Sequence, residues 1–214
     1  MESEFVHKVY NTIAPHFSET RYKAWPVIEN FLKSQPIGSL GGDIGCGNGK
    51  YFNIRNDVNI IGCDRSENLI KIANQRRPFT FVCDALNLPF KSDIFDFVIS
   101  IAVIHHFSTA ERRRKAIEEI LRVLRCGGEA LIFVWAFEQE GKRKFAEQDC
   151  LVPWRLQKQF DENGEEKVLQ RYYHLFKKDE LHNLVEAVIL DNNRVKILET
   201  GYDRDNWFIR ITKE

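Results

Sequence analysis

Residues 41–50 read GGDIGCGNGK, a glycine-dense run between a short apolar lead-in and the aromatic pair Tyr51-Phe52. Glycine is needed where the chain takes a positive φ or where a ligand lies directly on the main chain. The run is therefore read as a ligand cradle that follows a strand over Ser39 to Ile44. A dinucleotide loop requires G-x-G-x-x-G, and in Gly45-Cys46-Gly47-Asn48-Gly49 the third glycine comes one residue early. A P-loop requires G-x-x-x-x-G-K-[ST], and Tyr51 stands where its hydroxyl residue should be. Asp43, just before the loop, would repel a pyrophosphate and attract an ammonium group. Asp64 closes the next strand, in the position from which such sheets bind a ribose diol. The ligand so described carries an amino group and a ribose but no phosphates.

Outward from the loop, apolar runs alternate with amphipathic segments, as in βαβ units around a mostly parallel sheet. Val27, Ile28, Phe31 and Leu32 recur at helical spacing before Pro36. VNIIGC (58–63) predicts a second strand, and Ser66 predicts the N-cap of a helix through Leu69, Ile70 and Ala73. Phe79 to Cys83 predict a third strand. FDFVISIAV (95–103) is a fourth, apolar enough to be covered on both faces. Ser108 or Thr109 opens a charged helix that Gly127-Gly128 closes, and residues 129–137 form a fifth strand. Residues 138–172 lack a clear period and predict a long insertion or lid. A helix over 178–187 and a closing strand pair, RVKILET and WFIRIT, complete the chain.

The 214 residues and 25.1 kDa are expected to form one domain, 1–214. Thirty-one Lys plus Arg balance 31 Asp plus Glu, so no global field pulls the molecule onto nucleic acid or an anionic membrane. Basic clusters at Arg76-Arg77, 112–115 and 142–144 could still grip phosphates locally. No apolar run has membrane-spanning length, and MESEFVHKVY is too charged for a signal peptide. Five cysteines without a CxxC pair suit reduced thiols, not a metal site. A cytoplasmic protein, with a nuclear pool, is expected.

Asp43-Ile44-Gly45-Cys46-Gly47-Asn48-Gly49 resembles the D-x-G-C-G-x-G motif of the Rossmann-like (class I) methyltransferases. The resemblance implies a seven-stranded α/β sheet of order 3-2-1-4-5-7-6 and S-adenosylmethionine as cofactor. It implies cofactor contacts from Asp43, Gly45, Gly47 and Asn48, from Asp64 and Arg65 at the ribose, from Asp84 and Ala85 at the adenine, and from Ala102 after the fourth strand.

EFVHKVYNTIAPHFSETRYKAWP, IAVIHHFSTAERR, QDCLVPW and RYYHLF…GYDRDNW are similar to the eukaryotic tRNA methyltransferases that esterify 5-carboxymethyluridine at the wobble position. The likeness spans nearly the whole chain. It implies transfer of a methyl group to a carboxylate already ionised at neutral pH, so that alignment and exclusion of water replace a general base. Arg21 and Arg204 are candidates to fork the carboxylate, and His105 to orient the substrate. Tyr22, Trp25 and Trp207 are candidates to stack on the base, with Asp205 and Asn206 beside Trp207. The likeness also implies a small zinc-binding activator subunit that adds a strand at the edge formed by Phe79–Cys83. A small carboxylic acid or quinone-type acceptor is the alternative.

Overall fold

The computed structural model describes residues 1–141, 143–191 and 194–214. Its centre is the strand that leads into the glycine loop, Leu40–Ile44 (β1), flanked in parallel by Asn59–Asp64 (β2) and Phe95–Ile101 (β4). Thr80–Val82 (β3) pairs outside β2, and Leu124–Trp135 (β5) pairs with β4. The antiparallel strands Val195–Asp203 (β8) and Asn206–Lys213 (β9) close the far side. The order is β3-β2-β1-β4-β5-β9-β8. With the two terminal strands counted as sixth and seventh, this is the expected 3-2-1-4-5-7-6 arrangement.

Side-chain alternation along β4, with a register shift between Phe95 and Phe97, fills both layers. Phe97, Ile99 and Ile101 face one layer with Ile28, Phe31 and Leu32 of α2 (Pro26–Ser34) and with Ile70 and Ala73 of α3 (Glu67–Asn74). Phe95 and Val98 face the other with Ile117, Ile120 and Leu121 of α4 (Ala110–Val123) and Leu181 and Val185 of α5 (Glu180–Asp191). Phe95, Phe97, Val98 and Ile99 are wholly buried, each contributing roughly 1.5–3 kcal/mol of apolar transfer. Ser66 and Thr109 cap α3 and α4 by accepting from Leu69 N–H and Arg112 N–H.

Before the sheet, a π-helical segment (Ser3–Lys8) runs into α1 (Val9–Thr20), which contains Pro15. Pro15 has no N–H, so it leaves the carbonyl of Asn11, four residues back, without its helical donor. Asn68 Nδ2 donates to that carbonyl at 2.9 Å, while Asn11 Oδ1 accepts from Asn68 N–H at 3.0 Å. The exchange fixes α1 against the start of α3. Among the described residues no helix is long and apolar enough to cross a membrane.

Three expectations are corrected. The stretch 138–172 is not an aperiodic lid: Asp149–Leu156 (β6) and Lys167–His174 (β7) form an antiparallel pair. Val152, Trp154 and Leu156 are buried at every second position and pack on Val9 and Ile13 of α1 and on neighbouring hairpin residues. The charge and the proline masked that alternation. Helix α4 ends at Val123, and Gly127-Gly128 lie within β5, where the register with β4 shifts; Gly127 supplies a positive φ of 74°. β3 is three residues long, shorter than Phe79–Cys83. Lys142, first of the expected 142–144 cluster, lies outside the described residues.

Candidate active site

A cavity of about 530 Å³ opens beyond the carboxyl ends of β1, β2 and β4, where ligands bind in open α/β sheets. Its first wall is the glycine loop. Gly45 and Gly47 take φ of 80° and 55°, and a Cβ on Gly45 would lie 2.2 Å from Val103 Cγ2. Only glycine fits there. Asp43 beneath the loop is wholly buried, and neither carboxylate oxygen has a hydrogen-bond partner among the described residues. Burial, and then the nearby charge of Asp64, push its carboxyl up to about 8, against the opposing pull of Lys50. An unpartnered buried carboxylate calls for a cationic ligand group.

Asp64 ends β2 with both oxygens engaged: Oδ2 accepts from Gly47 N–H at 2.9 Å and Oδ1 from Ser66 N–H at 2.8 Å. These bonds fix the carboxylate, and lone pairs remain for hydroxyl donors. Asp84 follows β3, accepts from Leu86 N–H at 2.9 Å and lies 3.9 Å from Arg65. Ala85 lines the same end. Ala102, in a left-handed turn at φ 63°, donates its N–H to Phe133 and swings the 103–106 segment over the cavity. Asn48 lines the cavity, but its side-chain amide donates to Ser18 O, Ser18 Oγ and Arg21 O. Its side chain thereby tethers the N-terminal segment to the loop.

The opposite wall is cationic and aromatic. Arg21 lies over Phe17 and Trp154, and burial holds its guanidinium below its ordinary pKa. Arg143 lies over Trp135, and Arg204 occupies the β8–β9 turn with a φ of 50°. Trp25 and the exposed Tyr22 line the rim. Asp205 accepts from Glu140 N–H and from Tyr202 Oη, and Asn206 is buried by bonds to the carbonyls of Asp203 and Arg204. These two shape the turn.

His105 is wholly buried at the cavity wall. Trp135 N–H donates to its Nδ1 at 3.0 Å, and Nε2 has no partner among the described residues. Burial, and then the charges of His106, Arg171 and His174, hold the ring well below its ordinary pKa. It is neutral, with its proton on Nε2. His106 packs between Tyr10 and Tyr173 and donates from Nδ1 to Tyr172 O at 2.8 Å, a structural position.

Trp207 is not brought to the cavity. It faces the other side of β9, against the α4–α5 layer, and donates to Glu138. The period-two alternation that places Asn206 and Phe208 on one face puts Trp207 on the other. The cavity residues Lys50, Tyr10, Arg171 and Tyr173 were missed. Lys50 lies over Trp25 and Tyr51, with burial pushing its ammonium down to about 8. Arg171 and Tyr173 alternate inward along β7, a signal that a strand reading of RYYH would have found.

Residues 42–132 match the family model described as a methyltransferase domain. A tRNA (carboxymethyluridine(34)-5-O)-methyltransferase of Schizosaccharomyces pombe is 50% identical over 228 residues, covering 99% of this chain and 97% of that protein. The protein of the same name from Saccharomyces cerevisiae is 55% identical over 163 residues, or 73% of this chain, and the match spans 58% of its length. Among solved structures, a complex between the Haloferax volcanii Trm112 methyltransferase activator and a methyltransferase contains a chain with a TM-score of 0.63 at 15% identity. That match covers 95% of this chain and 97% of the other.

Proposed function

We propose how this chain acts from one premise: it belongs to the tRNA (carboxymethyluridine(34)-5-O)-methyltransferase family. It is an enzyme that methylates the carboxylate of 5-carboxymethyluridine at position 34 of tRNA, with S-adenosylmethionine as methyl donor. The alternative acceptor, a small carboxylic acid or quinone, is not favoured by these relatives.

The observation that carries the reading is the polarity of the cavity. Asp43, Asp64 and Asp84 line it at the ends of β1, β2 and β3, and Arg21, Arg143, Arg171 and Arg204 line it from the segment after α1, the β5–β6 connection, β7 and the β8–β9 turn. The first set suits a cofactor bearing an ammonium and a ribose; the second suits an anionic acceptor. Bound there, S-adenosylmethionine would supply a methyl group on a sulfonium that leaves as a neutral thioether. Asp43 would hold the ammonium, Asp64 the ribose hydroxyls, and Asp84 the adenine amino group. The protein's own work is alignment. The acceptor carboxylate is ionised at neutral pH, so no side chain has to remove a proton. The arginines draw the acid in, His105 Nε2–H offers one directed donor, and the walls built by α1 and the β6–β7 hairpin exclude water. The neutral state of His105 fits a donor and excludes a cationic role.

We take residues 1–214 as one catalytic domain. An activator subunit completes the reading. Phe79, Phe81 and Val82 expose 62%, 49% and 48% of their surface along the β3 edge, an apolar edge of the kind that recruits another strand. A chain of similar fold was solved in complex with a methyltransferase activator, and a small zinc-binding partner of that kind is proposed here at this edge. All five cysteines are free thiols, the state a reducing compartment such as the cytoplasm maintains, and a cytoplasmic site of action is proposed. The test is methyl transfer to anticodon stem-loops that differ only at position 34. A stem-loop carrying 5-carboxymethyluridine should accept the methyl group and one carrying uridine should not; equal labelling of both would refute the acceptor.

A further inference from the structure

Two guanidinium groups share one indole. Arg171 Cζ lies 4.8 Å from the centroid of the Trp154 ring and Arg21 Cζ lies 5.9 Å from it. Arg171 is 4% exposed, and its Nη1 donates to Tyr173 Oη at 2.8 Å. Its Nε is buried without a hydrogen-bond partner. Among the described residues no Asp or Glu forms an ion pair with either arginine.

Several other arginines of this chain have a carboxylate partner within the protein. Arg122 is paired with Glu119, Arg55 with Asp57, and Arg112 with Glu2. Arg204, the other cation expected at the acceptor, is more exposed and has Asp203 at 3.9 Å. A buried charge without a counter-charge is costly, and a second cation beside it adds repulsion. The Arg21–Arg171 pair therefore needs an anion from outside the chain, and it faces the cavity in which the acceptor would lie.

We propose that Arg171, seated against Trp154 and fixed by Tyr173, binds the carboxylate of the acceptor together with Arg21, and so makes the enzyme select a carboxymethyl side chain over its neutral amide. The inference rests on the wobble-uridine reading and deepens it. Arg171 is the deeper and more rigid of the two groups; Arg21 approaches from the linker after α1. A guanidinium fork gives a carboxylate two parallel charge-assisted bonds, whereas an amide matches only one oxygen and brings donors toward a cation.

The test titrates the full-length protein, with its activator and S-adenosylhomocysteine, against two stem-loops. One carries 5-carboxymethyluridine at position 34 and the other its carbamoylmethyl amide. The wild type should prefer the acid by roughly ten- to a hundredfold, the worth of a hydrogen bond to a charged group. R171Q removes the guanidinium but keeps a polar side chain, and should bring that ratio within about twofold, with cofactor affinity unchanged. R171K keeps the charge without the fork and should fall between them. R171Q that binds cofactor normally and retains the wild-type ratio would overturn the inference. Should R171Q fail to fold, a wild-type ratio in R171K would overturn it equally. In a parallel reaction with S-adenosylmethionine in place of S-adenosylhomocysteine, wild-type protein that methylates neither stem-loop would instead remove the reading on which the inference rests.

Discussion

The backbone N–H of Trp135 donates to Nδ1 of His105, and this one bond fixes which proton the ring carries. A backbone amide can only donate, so Nδ1 must accept and the neutral ring keeps its proton on Nε2. That nitrogen has no partner among the described residues, and His105 lines the cavity. Replacing His105 with Phe should lower kcat roughly ten- to a hundredfold, the worth of a directed bond to a charged acceptor, and leave cofactor affinity unchanged. Because burial depresses the ring's pKa, the wild-type rate should show no limb near pH 6.5 that H105F removes. A pH profile of both proteins checks this.

Asp43 makes a second prediction, with a definite sign. Its carboxyl titrates at about 8 in the cofactor-free protein, so near pH 7 it is largely protonated. A cationic ligand group beside it restores the ionised form. Cofactor binding near pH 7 should therefore release about one proton and tighten as pH rises toward 8. Calorimetry in buffers of different ionisation enthalpy measures the release, and D43N should abolish it. The raised value also means that the folded protein binds this proton more tightly than the unfolded chain does. Asp43 thus supports stability at low pH and loses that contribution as pH climbs from about 4 to 8. D43N should accordingly raise the Tm of the cofactor-free protein relative to wild type most clearly above pH 8.

The β6–β7 hairpin is latched to α5 through His174. Its Nδ1 meets Asp149 Oδ1 at 2.9 Å and its Nε2 meets Glu180 Oε1 at 2.6 Å; Tyr172 also bonds Asp149. Burial would raise both carboxyls, but the bonds from Tyr172 and His174 to Asp149, and from His174 to Glu180, outweigh it and lower them. The latch therefore contributes above the ordinary carboxyl range and weakens as pH falls through it. H174L should cost about 1–3 kcal/mol in urea unfolding near pH 7, by removing the two bonds from His174 to carboxylates, and the deficit should shrink on acidification below about pH 4.

The exposed edge of β3 predicts partner dependence. F81K places a charge on an apolar strand edge, which natural sheets use to block pairing. Co-purification with the activator should be lost, while S-adenosylmethionine affinity of the isolated chain should change by less than about twofold, since Phe81 does not line the cavity. Retained co-elution in gel filtration would place the partner elsewhere.

The parallel core was legible because its signals are local: β4 is nearly continuously apolar, Ser66 and Thr109 cap helices, and the glycine loop follows a strand. The hairpin was not, because Pro153 and surrounding charge conceal a period of two that tertiary burial of Val152, Trp154 and Leu156 makes plain. Asp43, Asp64, His105 and Arg21 line the cavity, and each could be singled out in the sequence because it adjoins a strand end or the N-terminal segment. Arg171 was passed over because its significance depends on Trp154 and Arg21, far from it in sequence. The side to which β9 turns Trp207 could be read only once its register with β5 was known.

The central claim is tested most directly by methyl transfer from labelled S-adenosylmethionine to bulk tRNA from cells that lack this activity, with the activator co-expressed. Nucleoside analysis and treatment with mild base follow. The account predicts label on the wobble 5-carboxymethyluridine as a base-labile ester. Label that resists base, or none on tRNA while the protein binds cofactor normally, would contradict it.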